Sequence, residues 1–132
     1  MNERSETLPK VSIGLPVYNG EEYLRKTLDC LLGQTFLDIE IIISDDNSSD
    51  QTKDICLEYC KQDNRVRYFK QDKNFGMPVK NFRFVLDNAF GEYFMFASHD
   101  DSWDERYIEE LVSVLDNDSN CSLDFSNYKI KN

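Results

Sequence analysis

Two kinds of apolar run alternate along the chain, short β-branched or aromatic stretches and longer stretches in which apolar residues recur every three or four positions. Val11-Ser-Ile-Gly-Leu-Pro-Val-Tyr18 reads as a first strand running into the turn residues Asn19-Gly20. Pro16 belongs at its end, because proline cannot donate to a central ladder. Leu24, Leu28, Leu31 and Leu32 then mark a helix from Glu21, with Asn19 as its expected N-cap and Gly33 at its stop. The unit repeats. Ile39-Glu-Ile-Ile-Ile-Ser44 is too apolar for a half-exposed strand, so it is predicted to be central, and it ends on Asp45-Asp46. Turn and cap residues Asn47-Ser-Ser-Asp50 lead into a helix marked by Ile55, Cys56, Tyr59 and Cys60. Val66-Arg-Tyr-Phe69 is a shorter third strand. Beyond the loop at Asn74-Phe-Gly-Met77, Pro78 fits the first turn of a helix carrying Val79, Phe82, Val85, Leu86 and Phe90, with Gly91 expected to stop it. Residues 93–97 form a short aromatic strand that halts at Asp100-Asp101. Tyr107, Ile108, Leu111, Val114 and Leu115 mark a last helix, and Cys121-Ser-Leu-Asp-Phe125 a last strand.

Strands alternating with helices predict an α/β fold, a mostly parallel sheet with helices on both faces and right-handed crossovers. If strands one to three wind outward and strand four pairs on the other side of strand one, the order is 3-2-1-4. Ligands of such sheets bind at the carboxyl ends of the strands, beside the switch point. Pro16 to Asn19, Asp45-Asp46 and Asp100-Asp101 all fall there. Two carboxylates about 4 Å apart repel by roughly 4 kcal/mol at an effective dielectric near 20, so Asp100 and Asp101 need a cation, a proton or solvent. A solvated loop capped by Ser102 would meet that need too; acidic ends on two strands of one predicted cleft favour a site.

Charge and composition narrow the ligand. The chain has 132 residues and a formal charge of −10, which argues against nucleic acid as a partner. An anionic small ligand requires a cation or backbone donors to offset that field. One domain is expected over residues 10–132 behind a disordered arm at 1–9. Cys30, Cys56, Cys60 and Cys121 lack paired CxxC spacing and read as reduced, buried thiols, and a metal pair at Cys56 and Cys60 is less favoured than core packing. With no signal-like or membrane-length apolar run, a cytoplasmic domain is expected. Asp46 suits hydrogen bonds from ribose or a base imide, or a metal. Asp100 and Asp101, with the Ser98 and Ser102 hydroxyls nearby, suit Mg²⁺ or Mn²⁺ bridging to a diphosphate. His99, the only histidine, is expected to point away from the ligand. Neither GxGxxG nor GxxxxGK[ST] occurs.

Val11 to Asn19, Leu32-Gly-Gln-Thr35, Ile41 to Thr52, Asn74-Phe-Gly76 with Lys80-Asn81, Ala89 to Tyr93 and Ser98-His-Asp-Asp101 together resemble the N-terminal half of a family 2 inverting glycosyltransferase of the GT-A fold. The resemblance spans about residues 10–125 and implies a Rossmann-like nucleotide-binding half. It implies that Pro16, Tyr18 and Asp46 line a nucleoside pocket, that Lys80 lies near the diphosphate, and that Asp100 and Asp101 form a DXD-type motif. Within that motif, Asp101 is assigned to the metal and Asp100 to ribose, sugar or a supporting contact. The donor would be a nucleoside-diphosphate sugar, UDP-linked by family analogy, and the acceptor a glycan or lipid-linked hydroxyl in polysaccharide biosynthesis. Two departures stand out, Ser98 where the pattern has Asp and Lys80 where it has Arg. The catalytic base is expected beyond Asn132, so the chain reads as a donor-binding fragment, inactive alone. The longer protein would be cytoplasmic or membrane-associated, and the fragment would carry a free sheet edge through which copies can pair. A receiver-like phosphotransfer domain using Lys129 or Lys131, and a non-catalytic interaction module, are the rival readings.

Overall fold

A computed structural model describes residues 8–118. Four strands and four helices alternate: β1 (Val11–Val17), α1 (Leu24–Leu32), β2 (Ile39–Asp45), α2 (Thr52–Gln62), β3 (Val66–Lys70), α3 (Pro78–Asp87), β4 (Tyr93–Phe96) and α4 (Tyr107–Asn117). The strands form one sheet in the order β3-β2-β1-β4, and every pairing is parallel. Both the order and the central place of β2 follow the sequence expectation. Cys121 to Phe125, Lys129 and Lys131 lie outside the described residues, as does most of the expected arm.

Because side chains alternate along a strand, the two faces of this sheet differ. Val11, Ile13, Leu15 and Val17 of β1 join Ile39, Ile41 and Ile43 of β2 on one face, where Leu24, Leu28, Leu31, Ile55, Cys56, Ile108 and Val112 cover them. That face, under α1, α2 and α4, is the main core. Each fully buried Ile or Leu there contributes about 1.5–3 kcal/mol before the cost of ordering it. The opposite face is covered by α3, through the buried Val85. It leaves Phe82, Leu86 and Phe96 between 45% and 47% exposed. The outer edge of β4 has no strand partner among the described residues.

The second face also holds a buried charge that apolar patterning does not reveal. Glu40, fully buried, accepts from Ser12 Oγ at 2.5 Å, from the Phe90 N–H at 2.8 Å and from Arg67 Nη1 at 3.0 Å. Arg67 also donates to the Asn88 carbonyl, and the Gly91 N–H donates to Ser12 Oγ at 2.7 Å. This network corrects two expectations. Helix α3 stops at Asp87, with Asn88 as its C-cap, so Phe90 is outside it and Gly91 is not the stop. Gly91 is instead needed for close approach, since a Cβ there would sit 2.6 Å from the Ser12 nitrogen. The thiols are also less uniform than expected, for Cys56 is buried whereas Cys30 and Cys60 are half-buried.

Candidate functional site

The carboxyl ends of β1, β2 and β4 converge on one edge of the sheet. Loop backbones there are pinned by short side chains. Asn19 takes φ 50° and Asn47 φ 61°, left-handed values that asparagine tolerates better than most residues. The Asn19 N–H donates to Ser48 Oγ, the Ser49 N–H to Asn19 Oδ1, and the Gly20 N–H to Thr52 Oγ1 at 2.9 Å. Asn19 therefore joins the β1 loop to the β2 loop and does not cap α1, whose N-cap is Tyr23. In the same way Ser102 caps nothing, because α4 starts after Arg106.

The two acids after β2 have separate tasks. Asp45 is fully buried, with Oδ1 accepting from the Ser48 N–H and hydroxyl and Oδ2 from Tyr68 OH at 2.6 Å. Burial and that carboxylate push the Tyr68 phenol well up. Asp46 faces the other way. Its N–H bonds the Val17 carbonyl at 2.9 Å, and its Oδ1 accepts the Phe75 N–H at 2.6 Å. Oδ2 receives no hydrogen bond from the described residues. Asp46 is 8% exposed and lines an open cleft of about 350 Å³ with Pro16, Val17, Tyr18, Asn74, Gly76, Met77, Pro78, Asn81 and Phe82. Such walls suit a flat ring that presents an N–H or O–H to the free carboxylate oxygen.

Asn81 is a wall residue to which sequence reasoning gave no role. Its Nδ2 donates to the Ser44 carbonyl at 3.0 Å and its Oδ1 accepts from Ser44 Oγ, which fastens the start of α3 to the end of β2. The sequence signal is its place beside Lys80 in the quoted motif, and its burial cannot be read there without the fold. Lys80, next to it, is exposed and does not line the cleft. Phe82 closes the far side and stacks on Phe96 at 5.1 Å between ring centroids.

Asp100 and Asp101 lie beyond β4, on the other side of β1 from Asp46 and outside the lining of the cleft. With one strand between them, the β2 and β4 ends stand roughly 10 Å apart, so a single extended ligand can reach both. Ser98 organises the pair: its hydroxyl donates to Asp100 Oδ1 at 2.8 Å and its N–H to Asp101 Oδ2 at 3.1 Å. Serine at this position thus supplies a donor where a third acid would add repulsion. Both carboxylates are exposed, and each keeps one oxygen without a partner among the described residues. His99 turns its ring onto Gly20, where a Cβ would lie 3.0 Å from Cγ and Nδ1. Its Nδ1 is buried without a partner among the described residues.

The donor set bears on a metal. Among the described residues no group of three or more His, Cys, Asp or Glu side chains is arranged to enclose one. Two exposed carboxylates with free oxygens fit instead the manner in which Mg²⁺ and Mn²⁺ commonly bind, through one or two acids, several waters and the substrate's phosphates. Asp100 and Asp101 would hold such an ion only together with a ligand.

Comparison with known proteins agrees with this architecture. Residues 12–131 match the glycosyl transferase family 2, and the chain belongs to that family. It is 38% identical over 106 residues to the glycosyltransferase GlyA of Streptococcus pneumoniae serotype 4, covering 80% of this chain and 15% of that protein. Among solved structures it is similar to S. aureus TarS (residues 1–349) in complex with UDP, with a TM-score of 0.77 and 29% identity, covering 82% of this chain and 32% of that one. The fold alone is shared with the mannosyltransferase PcManGT from Pyrobaculum calidifontis in complex with GDP-Man and Mn²⁺, at a TM-score of 0.74, 20% identity, and 81% and 32% coverage. The chain thus spans less than a third of each of these relatives. Membership of the family decides against the receiver-like reading. No helix of the described residues is long and apolar enough to cross a membrane.

Proposed function

We propose that this chain is the donor-binding part of an inverting glycosyltransferase that takes its sugar from a nucleoside-diphosphate sugar, UDP-linked in the first instance. The observation that carries the reading is Asp46, its Oδ1 fixed by the Phe75 N–H and its Oδ2 left open to an apolar-walled cleft. In this reading the base lies among Tyr18, Pro16 and Phe82, and a ring N–H or ribose hydroxyl donates to Asp46 Oδ2. The diphosphate then runs across the end of β1 toward Asp100 and Asp101. Asp101 would hold the metal, and Asp100, oriented by Ser98, would take ribose or sugar hydroxyls or a supporting contact. Held there, Mn²⁺ or Mg²⁺ would supply positive charge against that of the diphosphate. Lys80, exposed on the first turn of α3, adds a single positive charge that reaches the diphosphate without a bidentate clamp. The base that deprotonates the acceptor hydroxyl for in-line attack at the anomeric carbon belongs to sequence beyond Asn132. The acceptor, a glycan or lipid-linked hydroxyl, is met there too. The UDP complex of TarS supports the choice of nucleotide, and the two exposed carboxylates with free oxygens support a hard divalent ion.

A thermal-shift panel of UDP, GDP and CDP, each with Mn²⁺ and with chelator, tests the reading. UDP at a hundred times its Kd should stabilise the chain by about 2.7 kcal/mol. That stabilisation should shrink on chelation, and the chain alone should transfer no sugar. Indifference to every nucleotide, or robust transfer by residues 1–132, contradicts it.

A further inference from the structure

The loop carrying Asp100 and Asp101 is fastened to α1 and to the residue just past its C-cap. On α1, Thr27 and Cys30 stand at i and i+3, on one face of the helix, and Gln34 follows just past its C-cap, Gly33. Each meets the loop backbone in turn. Thr27 Oγ1 lies 2.7 Å from the His99 carbonyl and 3.1 Å from that of Asp101, so one hydroxyl brackets Asp100. The Cys30 thiol lies 3.0 Å from the Trp103 carbonyl, and its sulfur accepts the Trp103 N–H at 3.1 Å. Gln34 donates to the Asp104 carbonyl at 2.8 Å and accepts the Ile108 N–H at 3.0 Å. Thr27 and Gln34 are 1% and 2% exposed. Polar groups so deeply buried are costly unless bonded, and a strand-to-helix connection needs no such set merely to stay connected. The bonds go to backbone alone, which leaves both carboxylates exposed, with Ser98 as their hydrogen-bond donor among the described residues.

We propose that Thr27, Cys30 and Gln34 are positioning residues for Asp100 and Asp101. By ordering the loop in advance, these residues let the two carboxylates meet a cation and a diphosphate without a separate ordering cost at binding. The inference rests on the proposed role of Asp100 and Asp101 at the metal and diphosphate. It adds what holds them there. Trp103, the chain's only tryptophan, sits within the fastened loop and reports its position.

The test compares Thr27→Val, which keeps the side-chain shape without the hydroxyl, with Thr27→Ser, which restores it. UDP affinity is measured with Mn²⁺ and with EDTA, alongside Trp103 emission. Loss of one net hydrogen bond predicts an about fivefold drop in Mn²⁺-supported affinity for Thr27→Val. Affinity in EDTA should match wild type, Trp103 emission should shift to the red, and Thr27→Ser should recover all three. Cys30→Ala should reproduce the pattern and serves if Thr27→Val does not fold. Wild-type Mn²⁺-supported affinity in Thr27→Val, while Asp101→Asn loses it, overturns the positioning role. Equal losses with Mn²⁺ and EDTA overturn it as well, because they mark a general structural defect. A wild-type chain whose UDP affinity ignores Mn²⁺ would remove the metal reading and the positioning role together, a failure visible before any variant is made.

Discussion

Replacing Glu40 should be among the most damaging single changes in the described fold, although it lies at the opposite end of the sheet from the cleft. Its carboxylate is fully buried and accepts from Ser12, Phe90 and Arg67. Glu40→Ala strands the Arg67 guanidinium, whose side chain is only 22% exposed, and frees the Phe90 N–H and the Ser12 hydroxyl. Breaking a buried pair from one side costs about 3–5 kcal/mol, out of a typical domain stability of about 5–15 kcal/mol. Glu40→Gln keeps the shape but offers one acceptor oxygen, so an NH₂ must face either Arg67 or the Phe90 N–H. The expected loss is about 1.5–3 kcal/mol. Urea titrations should show the midpoint for Glu40→Ala falling by roughly 2 M at an m-value near 2 kcal/mol/M, with m unchanged. Glu40→Met combined with Arg67→Met should lose less than the sum of the single changes, because neither charge is then stranded. A Glu40→Gln chain within 0.5 kcal/mol of wild type, to take a roughly neutral threshold, would refute the reasoning.

Gly20→Ala should destabilise by about 1–3 kcal/mol, because its Cβ would meet Val17 Cγ2 at 2.7 Å and the His99 ring at 3.0 Å; thermal melts would show this. Acid titration of stability should reveal Asp63, whose carboxyl is held below the ordinary range by its hydrogen bonds from the Arg65 side chain. A carboxyl depressed in the folded state stabilises it fully above the unfolded pKa, so this contribution should persist above about pH 4 and fade as pH drops further. Asp63→Asn should flatten that part of the profile in urea titrations repeated at each pH.

Hydrophobic period and the residues at strand ends carry most of what is legible in the sequence. Three consecutive isoleucines in β2 announce a strand buried on both faces, and four strand–helix repeats leave few parallel orders open. Asp46 and Asp100-Asp101 were visible as acids placed just after strands. What escaped was chemistry made by distant segments. Glu40 looks like a polar interruption until Ser12, Arg67 and Phe90 surround it. Asn19 resembles a cap, yet its partners are Ser48 and Ser49 of the neighbouring loop. Gly91 resembles a helix stop, whereas the packing of Ser12 against it explains the glycine. Asn81 stood beside Lys80 in the same motif, and only the fold shows that the asparagine, not the lysine, forms the cleft wall.

The most direct test of the two-part donor site is calorimetry of UDP binding to wild type, Asp46→Asn and Asp101→Asn, with saturating Mn²⁺ and with chelator. Asparagine at 46 can keep an acceptor for the Phe75 N–H while removing the charge offered to the nucleoside. It should weaken UDP binding with or without metal, by about 10- to 100-fold if a charge-assisted hydrogen bond of 1.5–3 kcal/mol is lost. Asp101→Asn should weaken binding only when Mn²⁺ is present and match wild type in chelator. Equal UDP affinity for wild type and Asp101→Asn under saturating Mn²⁺ would contradict the account.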